Sequence, residues 1–548
     1  MRAWDTIVIG SGSGGLTAAV ALARAGQRVL VLEQHYLPGG FCQSFSLSGY
    51  RFSPGVHYLG ELGPGGGLRR LYEGLGLGDD LEFCEMNPEG YDHFLIEDER
   101  FDVPKGFDRW FARLCERFPH EREGLRVYFD TCHRINADVC KCDRLLSFPE
   151  VLTVPFRAPS LIRWGFRTQK ALLDKTIKDP MLRAVLSAQS GNHGLAPSRV
   201  SLPLHASMSV HYDNGAYYPR GGAKRIPLAL IRALRRRGGQ IRLRARVQRI
   251  LVERGRAVGV ELGSGERIQA QNIISNADPA VTFGKLLPPE HGGREREKAQ
   301  RAEYSVSMIS VFGAVDLDLR RFGYDSGNYW WYRRRDVGAL YERMERSLPG
   351  AQVDGLFLAI TTLKDPSHRR DKMHTIEMFT FVPYAPFARW KGTAPNERGP
   401  DYERLKESLG DKMVAAAENV IPGLGRAMRF RSVASPLSND FYCETPHGCA
   451  YGTAKTPWQM GPFSFSTTSS VEGLYSCGAS TLSHGVAGTA MTGLAAAAKV
   501  LHAERLEDLL APPDGSIRVY PSDRPEEWLD EPRRPVPAET EADGARSA

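Results

Sequence analysis

The residues whose types and spacing point to chemistry stand near the N-terminus. Gly10, Gly12 and Gly15 form G-x-G-x-x-G, and Glu33 closes the next apolar run. In this arrangement the first glycine makes a tight turn, the second lets the backbone approach a pyrophosphate, and the third lets a helix pack closely on a strand. The helix start turns unpaired N–H groups toward the phosphates, and the acid at position 33 accepts from ribose hydroxyls. A further pair, Gly39-Gly40, follows the acid. It favours an extended flavin nucleotide over a nicotinamide one, because glycine admits the close approach and positive φ that such a loop needs. Beyond it, Gly55-Val-His57-Tyr58-Leu-Gly60 sets a His and a Tyr between glycines. Imidazole titrates near neutrality and suits proton transfer, although an isolated histidine is more often structural.

These residues need elements to hold them. Residues 6–9 are an apolar β-branched run that reads as a strand, and the Ala/Leu-rich stretch after Gly15 reads as a helix. Residues 28–33 supply a second strand. The same strand, glycine loop and helix succession returns at Cys477-Gly478-Ala479 through Gly485-Val486 to Leu501, where a helix N-terminus would face the pyrimidine end of a flavin. Between the two, Tyr217-Tyr218-Pro219-Arg220-Gly221-Gly222 precedes a helix over 223–237. Residues 240–252 and 257–262 alternate apolar with polar and read as a hairpin. From about 65 to 205 the pattern is amphipathic helical pieces, and 305–315, 355–362 and 375–382 read as strands. Tyr329-Trp330-Trp331-Tyr332 either lines an apolar cavity or is ordinary core. Within 145–167, large apolar residues mix with charges that are exclusively basic after Glu150, which suits either a membrane interface or a core-packing loop with solvated arginines.

The chain of 548 residues exceeds what one core can hold, so two domains and a tail are expected. A formal charge of +7 is mild at this length, and no dense basic block interleaves with aromatics, which argues against nucleic-acid binding. The nine cysteines lack C-x-x-C spacing and the histidines lack H-E-x-x-H, so neither a disulfide framework nor a metal site is expected. No segment is apolar enough to span a bilayer, and the first strand begins too early for a signal peptide, which sets the expected location in the cytoplasm. Beyond 511 the sequence turns rich in Pro, Glu, Asp and Arg and reads as a disordered tail.

Taken together, the motif at Gly10 to Gly15, Glu33-Gln-His35, Gly39-Gly40 with Cys42 and Phe45, Gly55-Val-His57-Tyr58, Tyr218 to Gly222, Ser275-Asn276-Ala277, Asn439-Asp-Phe441-Tyr442 with Gly448 to Gly452, and Gly478 to Gly488 resemble the FAD-dependent phytoene desaturase superfamily. The resemblance runs from about residue 4 to 505 and lies within the retinol saturase and carotenoid isomerase branch. It departs from the family pattern at Phe41, Ser53 and Ala479.

The resemblance implies an α/β fold: a Rossmann-type, glutathione-reductase-like FAD domain assembled from 1–64, 206–299 and 436–510, and an inserted α+β substrate domain from 65–205 and 300–435. It implies FAD held by Gly10, Ser11, Gly12, Gly14, Gly15, Glu33, Gly39, Gly40, Val247, Gly478, Ala479 and Val486, with His57, Tyr58 and Tyr217 as proton-donor candidates. The implied activity is oxidoreduction at carbon–carbon double bonds of an apolar polyene, a carotenoid or retinoid, with peripheral membrane contact through 145–167. A redox-neutral cis–trans isomerase is the second reading. A non-catalytic isoprenoid carrier is a third, disfavoured by the intact flavin cradle.

Overall fold

The computed structural model describes residues 3–141 and 153–528. Strand β1 (Trp4–Ile9) lies at the centre of a seven-stranded sheet and pairs in parallel with Val29–Leu32 on one side and Arg267–Ser275 on the other. Helix α1 (Ser13–Arg24) crosses between the first two strands, as a parallel pair requires. All but the last of its residues are buried. That explains its composition, since small residues at every turn let the sheet and two other helices approach it. The helix Gly485–Leu501 packs so closely on α1 that a Cβ at Gly493 would stand 2.0 Å from the Gly14 carbonyl oxygen.

The sheet continues through Gln240–Arg242 beside Val29–Leu32, and through an antiparallel pair, Val247–Glu253 and Arg256–Leu262, beside Arg267–Ser275. The alternating run at 240–252 is therefore two strands on opposite edges of one sheet, and only its second half makes the hairpin. Leu474–Ser476 adds a parallel strand to Arg267–Ser275.

A second seven-stranded sheet has the order Met428–Ala434, Ser307–Val315, His374–Val382, Gly355–Ile360, Asn328–Tyr332, Asp92–Ile96, Glu99–Val103. The aromatic run lies in its interior, where period-two alternation divides it between two cores. Trp330 and Tyr332 join the cluster built on the helices Arg122–Lys141 and Leu202–His211, while Tyr329 and Trp331 join the cluster under Gly399–Ala417.

Three expectations are corrected. Leu68, Leu71, Tyr72, Leu75, Leu77, Leu81 and Phe83 pack with α1 in the nucleotide core, so the boundary expected at 64 falls nearer 86. The region taken as helical also holds the strands Glu82–Glu85, Asp92–Ile96 and Glu99–Val103. In the tail, Arg518–Pro521 pairs in parallel with Glu82–Glu85 and buries Ile517, because the single apolar stretch among its charges finds an open strand edge. Residues 529–548 lie outside the described residues, as do 145–152 of the expected membrane segment.

Candidate functional site

The glycine turn is built as its sequence demands. Gly10 takes φ +91°, and a Cβ at Gly15 would stand 2.3 Å from the Gly10 carbonyl oxygen and 3.2 Å from Val8 Cγ1, the helix-on-strand contact expected of the third glycine. Gly12 is held bare by one side chain that sequence reasoning left out of the site, that of Asn276, and Gly14 by the same side chain together with the Thr489 carbonyl, which a Cβ would meet at 2.8 Å. A Cβ at Gly12 would stand 2.7 Å from Asn276 Nδ2, and one at Gly14 would stand 2.8 Å from Asn276 Oδ1. Asn276 Oδ1 also accepts the Gly15 N–H at 3.1 Å, and a Cβ at Gly478, which takes φ +103°, would meet the Asn276 backbone oxygen at 3.2 Å. This carboxamide thus pins the N-terminal turn to the C-terminal glycine loop. Its signal was the Ser275-Asn276-Ala277 motif at the end of a buried strand.

Ser11 ties the remaining pieces together. Its N–H and Oγ both donate to Glu33 Oε2, at 2.8 and 2.6 Å, and its Oγ accepts the Gly39 N–H at 3.0 Å. The His35 N–H donates to Glu33 Oε1 at 2.8 Å, leaving that oxygen a second lone pair for a ribose hydroxyl. Gly39 and Gly40 take φ of +117° and +56°, and Gly40 faces the Gly12 Cα across bare backbone. Val247 is buried beside Ile9, Leu30 and Leu32, two residues beyond the Ala245 N–H that donates to the Glu33 carbonyl. Helix α1 and the helix Gly485–Leu501 both start without a side-chain cap, and Ser13 Oγ donates to the Val486 carbonyl at 3.1 Å, so two uncapped helix starts lie side by side. Ala479 occupies the turn between Gly478 and that second helix. Bare backbone, one acid with an open lone pair and two uncapped helix starts fit an FAD pyrophosphate and ribose.

Where this cradle meets the second sheet, a line of buried polar side chains runs through an aromatic wall. His57 Nδ1 lies 3.2 Å from Glu377 Oε2 but out of line for a hydrogen bond, so both atoms lack a hydrogen-bond partner. The other Glu377 oxygen accepts the Ser53 N–H at 2.6 Å. Lys364, wholly buried, donates to the His57 carbonyl at 2.7 Å and to Asn328 Oδ1. Burial outweighs the pull of Glu377 and Asp92 and brings its ammonium down to about 7. Asn328 Nδ2, Gln189 Nε2 and the Tyr58 hydroxyl all donate to Asp92, at 2.9, 2.7 and 3.0 Å. Burial still raises the Asp92 carboxyl and lifts the Tyr58 phenol well above its ordinary range. Asn192 Nδ2 donates to the Tyr58 hydroxyl at 2.7 Å. Phe357 and Phe379 stand 5.0 and 5.5 Å from the His57 ring, and Trp330 stands 4.7 Å from Phe357.

The structure therefore brings His57 and Tyr58 together and leaves Tyr217 apart. The Tyr217 hydroxyl donates to the Asn214 carbonyl at 2.8 Å inside the nucleotide core, and burial raises it. Its neighbour on the strand turns the other way, so that the Tyr218 hydroxyl donates to Ser53 Oγ at 3.2 Å and the Tyr218 ring lies 5.7 Å from Lys364 Nζ. Of the aromatics in the segment read as membrane-facing, Trp164 is a further correction: it is buried, with Arg163 and Lys175 over its ring. Phe156 and Phe166 are exposed. None of the described helices is long and apolar enough to cross a membrane.

Comparison with known proteins agrees with this geometry. Residues 13–319 match the family described as flavin containing amine oxidoreductase. The all-trans-retinol 13,14-reductase of Danio rerio is 30% identical over 474 residues, covering 82% of this chain and 77% of the relative. The chloroplastic prolycopene isomerase of Daucus carota is 29% identical over 516 residues, covering 91% and 80%. Among solved structures, an oxidoreductase from Methanosarcina mazei shares the fold with a TM-score of 0.60 at 18% identity, over 90% of this chain and 99% of that one. A putrescine oxidase does so with 0.58 at 16%, over 91% and 99%.

Proposed function

The chain belongs to the flavin containing amine oxidoreductase family and is an FAD-dependent oxidoreductase, and from that premise we propose that it reduces a carbon–carbon double bond of a conjugated polyene, a carotenoid or retinoid. The observation that carries this reading is the buried line His57–Lys364–Asn328–Asp92–Tyr58 against the wall of Phe357, Phe379 and Trp330. It sets a few proton-bearing groups in buried, otherwise apolar surroundings. FAD, when bound, supplies hydride chemistry, and the protein supplies orientation. Saturating a double bond also requires a proton on the second carbon, and His57, Lys364 and Tyr58 are the groups of this chain proposed to hold it. Lys364, brought to about 7 by burial, is best matched to neutral pH for that task. Gly10, Ser11, Gly12, Gly14, Gly15, Glu33, Gly39, Gly40, Val247, Gly478, Ala479 and Val486 are proposed to hold the cofactor. The likeness to prolycopene isomerases supports the second reading, isomerisation with no change in composition.

Mass decides between them. With chemically reduced flavin and candidate polyenes, the reductase reading expects a product two hydrogens heavier. Unchanged mass with altered retention on a geometry-resolving column would establish the isomerase instead.

A polyene substrate is drawn from membranes, and we infer that the chain docks peripherally on an anionic bilayer. The exposed Phe166 ring stacks at 5.5 Å on exposed Trp458, and both meet Phe463. Phe156 and Ile162 are also exposed in the segment that carries Phe166, Arg294 lines the same hollow as Trp458 and Phe463, and Arg163, Arg167 and Arg294 make no ion pair with any described residue. Exposed rings within a basic rim are the chemistry of an interfacial contact.

A further inference from the structure

The segment after Ala511, expected from its composition to be disordered, runs from the nucleotide core to the second sheet. The Ala511 N–H donates to the Gly74 carbonyl at 2.9 Å, Ile517 is buried in the nucleotide core, and Arg518–Pro521 pairs in parallel with Glu82–Glu85. The Ser522 N–H then donates to the Glu85 carbonyl at 2.8 Å. At Asp523 the segment crosses over. Asp523 Oδ1 accepts the Ser326 N–H at 3.0 Å, and its Oδ2 accepts the Ser326 hydroxyl at 2.6 Å. Ser326 is wholly buried and stands just before the strand Asn328–Tyr332, whose first residue is a member of the polar line.

A second arm leads to Lys364. Arg320 Nη1 donates to Asp523 Oδ1 at 3.2 Å, and its Nη2 donates to the Ser522 carbonyl at 3.0 Å and to the Leu363 carbonyl at 3.4 Å. On the far side of Lys364, Asp365 is wholly buried and accepts the Gly221 N–H at 2.7 Å. The adjoining Arg220 guanidinium carries the rings of Tyr520 and Trp528 at 4.6 and 4.9 Å. The segment thus reaches the chain on both sides of Lys364 and, through Ser326, the approach to Asn328. These two side chains meet, Lys364 Nζ donating to Asn328 Oδ1. The sheet does not impose that contact. It pairs Asn328 with Ala359, whereas Lys364 lies past the strand's end in the four-residue helix Thr361–Lys364, outside the ladder. A helix so short does not hold itself in water.

We propose that Asp523 is a positioning residue for the site: by tying Ser326 to Arg320 it holds the turn of Lys364 against Asn328 and keeps water from the space between them. The inference rests on the reading of Lys364 as a proton-holding group given above, and it extends the site to a part of the chain beyond the stretch in which the nucleotide motifs lie. Releasing the tie lets the short helix part from Asn328. Water at Nζ then removes the desolvation that makes Lys364 acidic, so the ammonium becomes harder to deprotonate. Losing a nearby carboxylate by charge alone acts the other way and makes an ammonium easier to deprotonate. The direction of the shift therefore separates loss of position from loss of charge.

The test reads Lys364 by difference. Urea stability of the FAD-loaded protein is measured from pH 6 to 10 with Lys364 and with Lys364→Met, in the parent, Asp523→Ala, Asp523→Asn and Ser326→Ala backgrounds. Each difference is flat below the native value of Lys364 and rises above it. The groups that face Lys364, namely His57, Asp92, Tyr218, Asp365 and Glu377, are common to all four backgrounds, as are Arg320 and Asp325 beside position 523. The parent should inflect near pH 7, and Asp523→Ala should move the inflection up by at least about one pH unit, a tenfold gain in proton affinity. Asp523→Asn, which keeps an acceptor for Ser326, should move it less, and Ser326→Ala should move it up with every charge in place. An unmoved inflection with uniform loss of stability, or a downward shift, overturns the positioning role and leaves the reading of Lys364 standing. A parent with no inflection near pH 7 overturns both. If Asp523→Ala does not fold, Asp523→Asn and Ser326→Ala are judged by the same shift.

Discussion

Lys364 offers the most quantitative check on the site, because its burial sets both a sign and a size for a pH dependence. Its ammonium falls from 10.5 to about 7 through desolvation, with Glu377 and Asp92 pulling the other way. At about 1.4 kcal/mol per unit, that shift corresponds to about 5 kcal/mol. An unfolded lysine keeps its proton to about pH 10, whereas the folded one releases it near 7, so between these values the unfolded chain binds more protons and stability rises with pH. Below pH 7 the full cost of burying the charge is present and the dependence is flat. Lys364→Met removes the titration but strands the His57 carbonyl and Asn328 Oδ1, each at about 1–3 kcal/mol. The wild type should therefore be the more stable by several kcal/mol at pH 10, and the two should be close, or the order reversed, at pH 6. Urea denaturation followed by tryptophan fluorescence from pH 6 to 10, with both proteins measured at each pH, reads this directly. Parallel curves for the two proteins would refute the assignment of a neutral, buried Lys364.

The other predictions concern the cradle, the reacting face and the surface. Gly12→Val should abolish FAD retention, while Asn276→Ala should weaken it about tenfold in a fluorescence titration, through loss of the Gly15 N–H contact. Gly12→Ala should be far less harmful in the Asn276→Ala background than alone, and equal harm in both backgrounds would mean that Asn276 is not what excludes the side chain. Tyr58→Phe should lower kcat at least tenfold by removing a donor to Asp92, whereas Tyr217→Phe should stay within about twofold; the reverse order in steady-state assays would restore Tyr217 as the donor. Replacing Phe166, Trp458 and Phe463 together by Ser should reduce sedimentation with anionic liposomes several-fold, and unchanged sedimentation would assign the patch to some other contact.

What the sequence made legible was local. G-x-G-x-x-G, Glu33 and Gly39-Gly40 carry their chemistry within about thirty consecutive residues, and strand, turn and helix follow from that order alone. Even there one physical cause was hidden: the carboxamide that keeps Gly12 bare arrives from position 276, and no window around residue 12 contains it. The tyrosine pair shows a second limit. Alternation along a strand says that Tyr217 and Tyr218 face opposite ways, but not which way either faces. Only the pairing of Tyr217–Pro219 with Glu82–Glu85 decides that Tyr218 meets Ser53.

The residues missed altogether share a different origin. Glu377 stands out in sequence only as a single charged residue within an apolar strand, where binary patterning expects none, and Lys364 only as the first of two adjacent charges just beyond another. Glu377 pairs with Phe312 on one side and Ala359 on the other, and Lys364 lies in the short helix that follows the strand Gly355–Ile360. Each reaches His57 only because the second sheet folds over the loop after Gly55. A charge so placed has a large desolvation cost unless something opposes it. Here the opposition is mutual, one amine between two carboxylates, each drawn from a different part of the chain: 92, 364 and 377. The site is thus a property of the contact between two sheets, and neither sheet's sequence contains it.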